Sequence, residues 1–395
     1  MKAHAALDTL TRVRRTEAET VRAIPPSSAP LEAELTLLCP GPVSTSARVK
    51  RALANADIAH RDRAFVEVLA RLVGRLRRVA GAPEHDVLVL GGGATAATEA
   101  ALATFVGAEE RLLVVSNGAF GERIAEMAQC LGTPMSHLRY DWGEPIVLEQ
   151  MQGMLDGDPR IRAVAMVHHE TSVGRLNPVN EVGRLLAPRH LRYIVDVVSS
   201  LGAEDFDMVR SRASVVIGSA NKCLHGVAGA AFVITRPELW AETEHVRPRS
   251  MYLDLRRYRT AQRETGQTPF TPAVPVVVAL EAALHELEDQ GGVPVRRATY
   301  QALNARLRAG LLGLGMKLRF DGPALAASLT VAQLPPGISF DSFYQDLRQR
   351  GFLVYRGKGP VSHDCFLVAN MGDIGLETVD RFLDAVADIA ELPAR

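Results

Sequence analysis

The chain contains 395 residues, of which 47 % are apolar, and its 45 basic side chains balance its 45 acidic ones. This length predicts two or three structural units. A net charge near zero argues against a protein dedicated to nucleic acids or membrane surfaces and favours an enzyme that acts on small molecules.

The four cysteines, Cys39, Cys130, Cys223 and Cys365, are scattered along the chain and form no C-x-x-C pair. This distribution indicates neither a disulfide framework nor a zinc site, so we expect a cytoplasmic protein that binds no metal. No run approaches ~20 apolar residues, and the first residues lack the apolar segment of a signal peptide. We therefore expect no membrane segment.

Residues 1–36 form a polar extension that ends in AIPPSSAP, which is typical of a linker, so we expect an arm there. Residues 37–275 alternate short β-branched runs with helical patterns, which predicts βαβ units and a mostly parallel sheet. The runs are VLVLGGG, RLLVVSNG, AVAMVHHE, RYIVDVVSS, SVVIGSANK and AAFVITR. Functional side chains are expected at the carboxyl ends of these strands.

Residues 276–395 have a different pattern. Two long amphipathic helices are predicted for VVVALEAALHELEDQGG and TYQALNARLRAGLLGLG. The segments SLTVAQL, GFLVYRGKG and FLVANMGD have the composition of strands. The sequence therefore predicts an α/β protein, with a large domain on a mostly parallel sheet and a smaller α+β C-terminal domain.

Lys222 follows an apolar run, in GSANKCLHG, and Asp196 lies inside another, in YIVDVVSS. A partly desolvated lysine has a lowered pKa and can hold an aldehyde cofactor as a Schiff base. A buried aspartate needs a cation, which the ring nitrogen of such a cofactor would supply. Each residue also has an ordinary explanation, as a solvated lysine past a strand and as a loop-capping aspartate.

A glycine-rich turn leads into a helix at GGGATAATEAAL. The free N–H groups at the start of a helix attract a phosphate. The turn does not match G-x-G-x-x-G, which argues against a dinucleotide site.

Taken together and in this order, these blocks resemble the class V aminotransferases, enzymes of fold type I that depend on pyridoxal 5′-phosphate (PLP). Within this class they are most similar to the 2-aminoethylphosphonate–pyruvate transaminases. The blocks are LLCPGPVSTS, GGGATAATEAAL, NGAFGER, HHETSVGRLNP, VDVVSSLGAEDFD, SANKCLHGVAGAAFVI, FTPAVPVV and GFLVYRGK. The resemblance implies a PLP-dependent transfer of an amino group from a small primary amine, such as 2-aminoethylphosphonate, to a 2-oxo acid.

The resemblance also implies roles for single residues. Lys222 would bind the cofactor and move a proton, while Asp196 would pair with the pyridine nitrogen. The remaining cofactor contacts would be Gly93, Ala94 and Thr95 at the phosphate, Phe120 and Val198 at the two ring faces, Thr171 at the phenolic oxygen, and Asn221. Thr271 would reach the phosphate of a neighbouring subunit, which implies a homodimer with the site at the interface. Of the adjacent His168 and His169, at most one can face the site, because neighbouring strand residues point to opposite faces.

One position departs from the family. Many class V aminotransferases carry a carboxylate-binding arginine in a block resembling F-R-I-G-N-x-G, and this chain has Leu367 there. Leucine cannot pair with a carboxylate.

Arg356 is a candidate replacement, and Gly41 is a second candidate substrate contact. Alternatively, the acceptor is held in another way, or the enzyme is a PLP-dependent lyase or carbon–carbon bond-forming synthase. A protein without enzymatic activity would need neither Lys222 nor Asp196.

Overall fold

The computed structural model describes residues 35–54 and 57–390, so most of the predicted N-terminal arm lies outside the described residues. The strands are β1 Thr36–Leu37, β2 Asp86–Gly91, β3 Arg111–Ser116, β4 Met135–Arg139, β5 Ile161–Val167, β6 His169–Glu170, β7 Arg175–Leu176, β8 Arg192–Asp196, β9 Val215–Ser219, β10 Ala230–Thr235, β11 Leu329–Gln333, β12 Phe352–Leu353, β13 Tyr355–Arg356 and β14 Cys365–Ala369.

The helices alternate with these strands over the first two thirds of the described chain. They are α1 Ala47–Ala54, α2 Arg63–Val79, α3 Ala94–Phe105, α4 Ala119–Cys130, α5 Leu148–Gly157, α6 Val179–Leu186, α7 Leu239–Glu242, α8 Leu255–Thr265, α9 Val274–Asp289, α10 Gly292–Gly313, α11 Phe340–Gln349 and α12 Leu376–Ile389. None of the helices in residues 35–54 and 57–390 combines the length and apolar character needed to span a bilayer.

The centre of the molecule is a sheet whose strands lie in the order β2-β10-β9-β8-β5-β3-β4. All neighbouring pairs are parallel except those of β10, which runs antiparallel to both β2 and β9. The predicted mostly parallel sheet is confirmed. The strands other than β10 therefore end at the same edge of the sheet, which is where the sequence places its candidate site residues.

Helices cover both faces of this sheet. Along β3, Leu113 and Val115 pack into one apolar cluster, while Leu112 and Val114 pack into the other. This alternation follows from the two-residue period of a strand. The first cluster includes residues of α2, α5, α6 and α9, and the second includes residues of α3, α4 and α8. The strands are thus buried on both sides, which explains their continuous apolar sequences.

The C-terminal part is a smaller α+β unit. Its sheet has the order β11-β14-β13, with both pairs antiparallel, and α10, α11 and α12 contribute to the core beside it. Phe343 of α11 packs against Phe366 of β14 with 4.8 Å between ring centroids. Strand β1 pairs in parallel with β12, so the first described strand is joined to this C-terminal unit.

Candidate active site

The carboxyl edge of the central sheet borders a cavity of about 290 Å³. Segments that follow β2, β3, β5, β8 and β9 meet there, together with the segment around β13 and Leu367 of β14. Most of the site residues predicted from the sequence line this cavity: Gly41, Gly93, Ala94, Thr95, Phe120, Thr171, Asp196, Val198, Asn221, Lys222 and Arg356.

Lys222 lies three residues beyond the end of β9, with its side chain in the cavity. Its ammonium group has no hydrogen-bond or ion-pair partner among the described residues, and burial lowers its pKa to about 8. Gly41 packs directly against it: a Cβ at Gly41 would lie 2.7 Å from Cδ of Lys222, and the φ of Gly41 is +122°. Glycine is needed there because a side chain would strain the backbone and displace the lysine.

Asp196 is the last residue of β8 and lines the same cavity. One carboxylate oxygen accepts a hydrogen bond from the N–H of Val198 at 2.8 Å, and the other has no partner among the described residues. Burial raises the pKa of Asp196 to about 6, against the effect of that hydrogen bond. A carboxylate in this setting is stabilised by a cation that contacts its open oxygen.

The turn between β2 and α3 offers unpaired backbone donors. Gly93 is the N-cap of α3 and supplies no side chain, and the N–H groups of Ala94 and Thr95 have no partner within the described chain. A Cβ at Gly93 would meet nothing within 4 Å, so the space beside the helix start is open. Such a helix start is suited to a phosphate.

Phe120 and Val198 supply apolar surface to the cavity. Phe120 is the second residue of α4, and Nζ of Lys222 lies 5.6 Å from the centroid of its ring. Thr171 is buried, with its hydroxyl 3.4 Å from that of Ser199. Asn221 accepts a hydrogen bond from the hydroxyl of Ser219 at 3.0 Å, which fixes its amide next to Lys222.

Glu170 positions the start of α4 beside the cavity, a role that was not predicted from the sequence. It is completely buried and accepts hydrogen bonds from the N–H groups of Phe120 at 3.1 Å and Gly121 at 3.0 Å, and from Ser172. Burial raises its pKa, and these bonds oppose the increase. A carboxylate at the start of α4 is favoured by the helix dipole. The sequence signal was an acidic residue at the end of a buried strand.

The structure separates the two adjacent histidines as strand alternation predicts. His169 lines the cavity, while His168 bonds to Ser200 and packs against Phe206. Nδ1 of His169 donates to the carbonyl oxygen of Ser199 at 2.9 Å, which leaves Nε2 as a buried acceptor without a partner among the described residues. Burial lowers the pKa of His169 to about 3, so the ring is neutral.

Two predicted residues are placed differently from the rest. Arg356 borders the cavity, but its guanidinium donates to Asp341 at 2.6 Å and lies 4.7 Å above the ring of Phe340. Thr271 is exposed and does not line the cavity; its hydroxyl lies 3.4 Å from a ring nitrogen of His60. Leu367 is 2 % exposed and forms part of the cavity wall.

The residues present fit PLP. The open oxygen of Asp196, the free N–H groups of Ala94 and Thr95, and the amine of Lys222 supply a cation acceptor, a phosphate cradle and a nucleophile in one cavity. Within residues 35–54 and 57–390, no group of three or more His, Cys, Asp or Glu side chains could hold a metal ion.

Comparison with known proteins agrees with this geometry. The aminotransferase class-V family model matches residues 47–357, and the chain belongs to that family. It is a PLP-dependent aminotransferase of fold type I, as its resemblance to that family implies.

The chain is 37 % identical to a 2-aminoethylphosphonate–pyruvate transaminase of Salmonella schwarzengrund over 357 residues, which are 89 % of this chain and 96 % of the relative. The same identity and coverage hold for the enzyme of that name from Salmonella dublin. Among solved structures, an aspartate aminotransferase from Thermus thermophilus superposes with a TM-score of 0.81 at 27 % identity, covering 90 % of this chain and 99 % of that one. An alanine–glyoxylate aminotransferase from Nostoc sp. shares the fold, with a TM-score of 0.86 at 24 % identity, over 92 % and 96 % of the two chains.

Proposed function

We propose that this enzyme transfers the amino group of a small primary amine, such as 2-aminoethylphosphonate, to a 2-oxo acid. The amine-bearing carbon of the donor is oxidised to a carbonyl and the oxo carbon of the acceptor is reduced to an amine, so no external oxidant is needed. The relatives that carry this activity in their names support the substrate class. The observation that carries the proposal is an unpaired lysine of lowered pKa, Lys222, in one cavity with Asp196.

Lys222 holds the cofactor and transfers the proton. When bound, PLP withdraws electrons from the substrate carbon that bears the amine. Lys222 would hold this cofactor through its amine, and the same amine would move the proton of the substrate carbon that bears the amino group. A pKa of about 8 leaves part of this amine neutral near pH 7–8, as a general base requires.

Asp196 would keep the ring nitrogen protonated, since its open carboxylate oxygen is stabilised by a positive charge. Gly93, Ala94 and Thr95 would hold the phosphate at the start of α3. Phe120 and Val198 would pack against the ring, Thr171 would donate to its phenolic oxygen, and Asn221 would be a further contact. These assignments agree with the positions of all these residues around one cavity.

The enzyme acts as a homodimer in the cytoplasm, with Thr271 of each subunit at the phosphate of the other. In support, Thr271 is exposed, and two large apolar side chains in the preceding segment are also solvent-accessible, Met251 at 63 % and Tyr252 at 41 %. The four cysteines are unpaired, which suits a reducing compartment. The large domain is assigned to 37–275 and the small domain to 276–395, while nearly all of the predicted arm at 1–36 lies outside the described residues.

A half-reaction tests the function. The PLP-loaded enzyme is mixed with 2-aminoethylphosphonate and no oxo acid, while the visible absorbance and the carbonyl product are measured. Transamination predicts one equivalent of aldehyde per subunit and loss of the visible band, which returns when pyruvate is added. Continued product formation without an oxo acid, with the band unchanged, would favour a lyase or synthase, the alternative raised by Leu367. The Lys222→Ala variant is the control and should release no aldehyde.

A further inference from the structure

We propose that Lys358 and Arg123 form the subsite that binds the acidic group of the substrate. The inference rests on the transaminase function proposed above and adds the location of the anion. Nζ of Lys358 lies 4.8 Å from the centroid of the Phe120 ring, and Cζ of Arg123 lies 4.9 Å from the same centroid. Both side chains line the cavity, so two cations lie near the aromatic ring predicted to stack on the cofactor.

Neither cation has a counter-ion. Within the described chain, Lys358 and Arg123 make no hydrogen bond and no ion pair, whereas Arg356, on the same wall, is held by Asp341. Burial and the neighbouring Arg123 lower the pKa of Lys358, and the negative charge of Glu170 opposes this decrease. Two cations at one cavity that form no ion pair are stabilised by an anionic ligand.

The charges around the cavity are strongly asymmetric. Its basic lining residues are Arg123, Lys222, Arg356 and Lys358, and the only carboxylate among its described lining residues is Asp196. The amine of Lys222 is committed to the cofactor and Asp196 to the ring nitrogen. Because Arg356 is already paired with Asp341, Arg123 and Lys358 remain for the substrate.

Both cations are carried by well-anchored backbone. Arg123 is on the first turns of α4, whose N–H groups are bound by the buried Glu170. Lys358 immediately precedes a short 3₁₀ turn, Gly359–Val361, and the N–H of Gly357 beside it donates to Cys365 at 2.9 Å. A subsite held in this way loses little conformational freedom when a ligand binds.

The part of the wall formed by the buried side chain of Leu367 does not suit an anion. The ligand chemistry that fits Lys358 and Arg123 is a compact oxyanion, and a phosphonate dianion matches the two charges. Since donor and acceptor occupy the same cavity in turn, the pair receives the phosphonate of the amine and the carboxylate of the oxo acid alternately.

The test compares Lys358→Gln and Arg123→Gln with Lys317→Gln, which removes an exposed charge away from the cavity. Binding of ethylphosphonate, which has no amine and cannot react, is measured by calorimetry on the PLP-loaded proteins. Lys358→Gln and Arg123→Gln should each raise the Kd of ethylphosphonate about 10- to 100-fold. Each should also raise the KM for 2-aminoethylphosphonate by a similar factor, with kcat changed less than about threefold. The half-reaction of propylamine, which lacks an acidic group, should keep its rate, and Lys317→Gln should match the parent.

Two KM values distinguish the acidic groups of the two substrates. The KM for 2-aminoethylphosphonate reports on binding of the donor's phosphonate, and the KM for pyruvate reports on binding of the acceptor's carboxylate. The subsite is overturned if neither variant changes the Kd of ethylphosphonate, or if the loss occurs only in Arg356→Gln. A parent enzyme that binds ethylphosphonate through Lys358 and Arg123 but does not react with 2-aminoethylphosphonate would retain the subsite and refute the proposed function. Retention of the visible cofactor band shows that each variant is folded and loaded.

Discussion

At the scale of single residues, the chemistry depends on Lys222 being kept in the cavity without a counter-ion. An ammonium group with a pKa lowered by burial destabilises the folded apo-protein while it is charged. The folded pKa of about 8 lies below the unfolded value of 10.5, so this cost is present below pH 8 and disappears as the pH rises to 10.5.

The Lys222→Met variant tests this cost. Methionine is similar in length and uncharged, so the apo-variant should be more stable than the parent by about 3 kcal/mol at pH 7, and equally stable above pH 10.5. Denaturant unfolding of both apo-proteins at several pH values measures the difference. A parent that is more stable than the variant at pH 7 would show that the ammonium is well solvated. The variant should have no transaminase activity.

Asp196 gives a second prediction at this scale. Asparagine in its place keeps the size and the acceptor for Val198, but it carries no charge to stabilise a protonated ring nitrogen. Asp196→Asn should reduce kcat on the order of 100-fold or more, with the cofactor still covalently bound. Stopped-flow measurement of the half-reaction checks this. An unchanged rate would remove Asp196 from the mechanism.

Several site residues could be predicted from the sequence and others could not, for a physical reason. Asp196 ends a buried strand and Lys222 follows another by three residues, so each is a charged residue beside an apolar run that is visible in the sequence. Glu170 has the same local signal, but its role depends on bonds to α4, fifty residues away in the chain. The ion pair of Arg356 with Asp341 could not be predicted from the sequence, because it forms only when α11 packs beside β13. A substrate contact by Arg356 stays a prediction.

At the scale of elements, the start of α4 is organised by one buried carboxylate. Glu170 binds the N–H groups of Phe120 and Gly121, so it sets the position of the ring and of Arg123 one turn later. Glu170→Gln presents an amide to these donors and leaves part of the bonding unmade. We expect a loss of about 1–3 kcal/mol in the free energy of unfolding and weaker PLP binding.

The control for this prediction is on the same helix. Glu126 is exposed and makes no hydrogen bond or ion pair with the described residues, so Glu126→Gln should change the free energy of unfolding by less than about 0.5 kcal/mol. Chemical denaturation and spectroscopic titration with PLP measure both quantities. Equal behaviour of the two variants would contradict the role given to Glu170.

The strand prediction succeeded where apolar runs were bounded by glycine or charge, as in β2 and β9. The antiparallel direction of β10 could not be predicted from the sequence. Every residue from Ala230 to Thr235 is buried, so the run has no alternation to distinguish a parallel from an antiparallel neighbour. Its orientation is set by pairing with β2 and β9, which lie in separate segments of the chain.

At the scale of the whole molecule, a buried carboxylate links the central sheet to the C-terminal unit. Glu204, which follows β8, accepts a hydrogen bond at 2.9 Å from the N–H of Ala327, which precedes β11. Burial raises its pKa to about 7 from 4.5. The folded protein therefore holds this proton more tightly than the unfolded chain does. The resulting stabilisation is complete below pH 4.5 and is lost as the pH rises through 7.

Glu204→Gln keeps the acceptor but cannot ionise. The variant should exceed the parent in stability by on the order of 3 kcal/mol at pH 8, with the difference disappearing near pH 4.5. Urea unfolding across this range measures the difference. The exposed Glu377→Gln should follow the pH profile of the parent. A constant difference between Glu204→Gln and the parent at all pH values would exclude ionisation of Glu204 as the cause.

The proposed mechanism depends most on one bond, between Lys222 and PLP. Borohydride reduction of the loaded enzyme, followed by proteolysis and mass spectrometry, locates that bond directly. The cofactor mass is predicted on the peptide that contains SANKCLHG, at Lys222, and should be absent from the Lys222→Ala variant. A stable adduct on any other lysine, or none at all in a fully loaded enzyme, would contradict the mechanism.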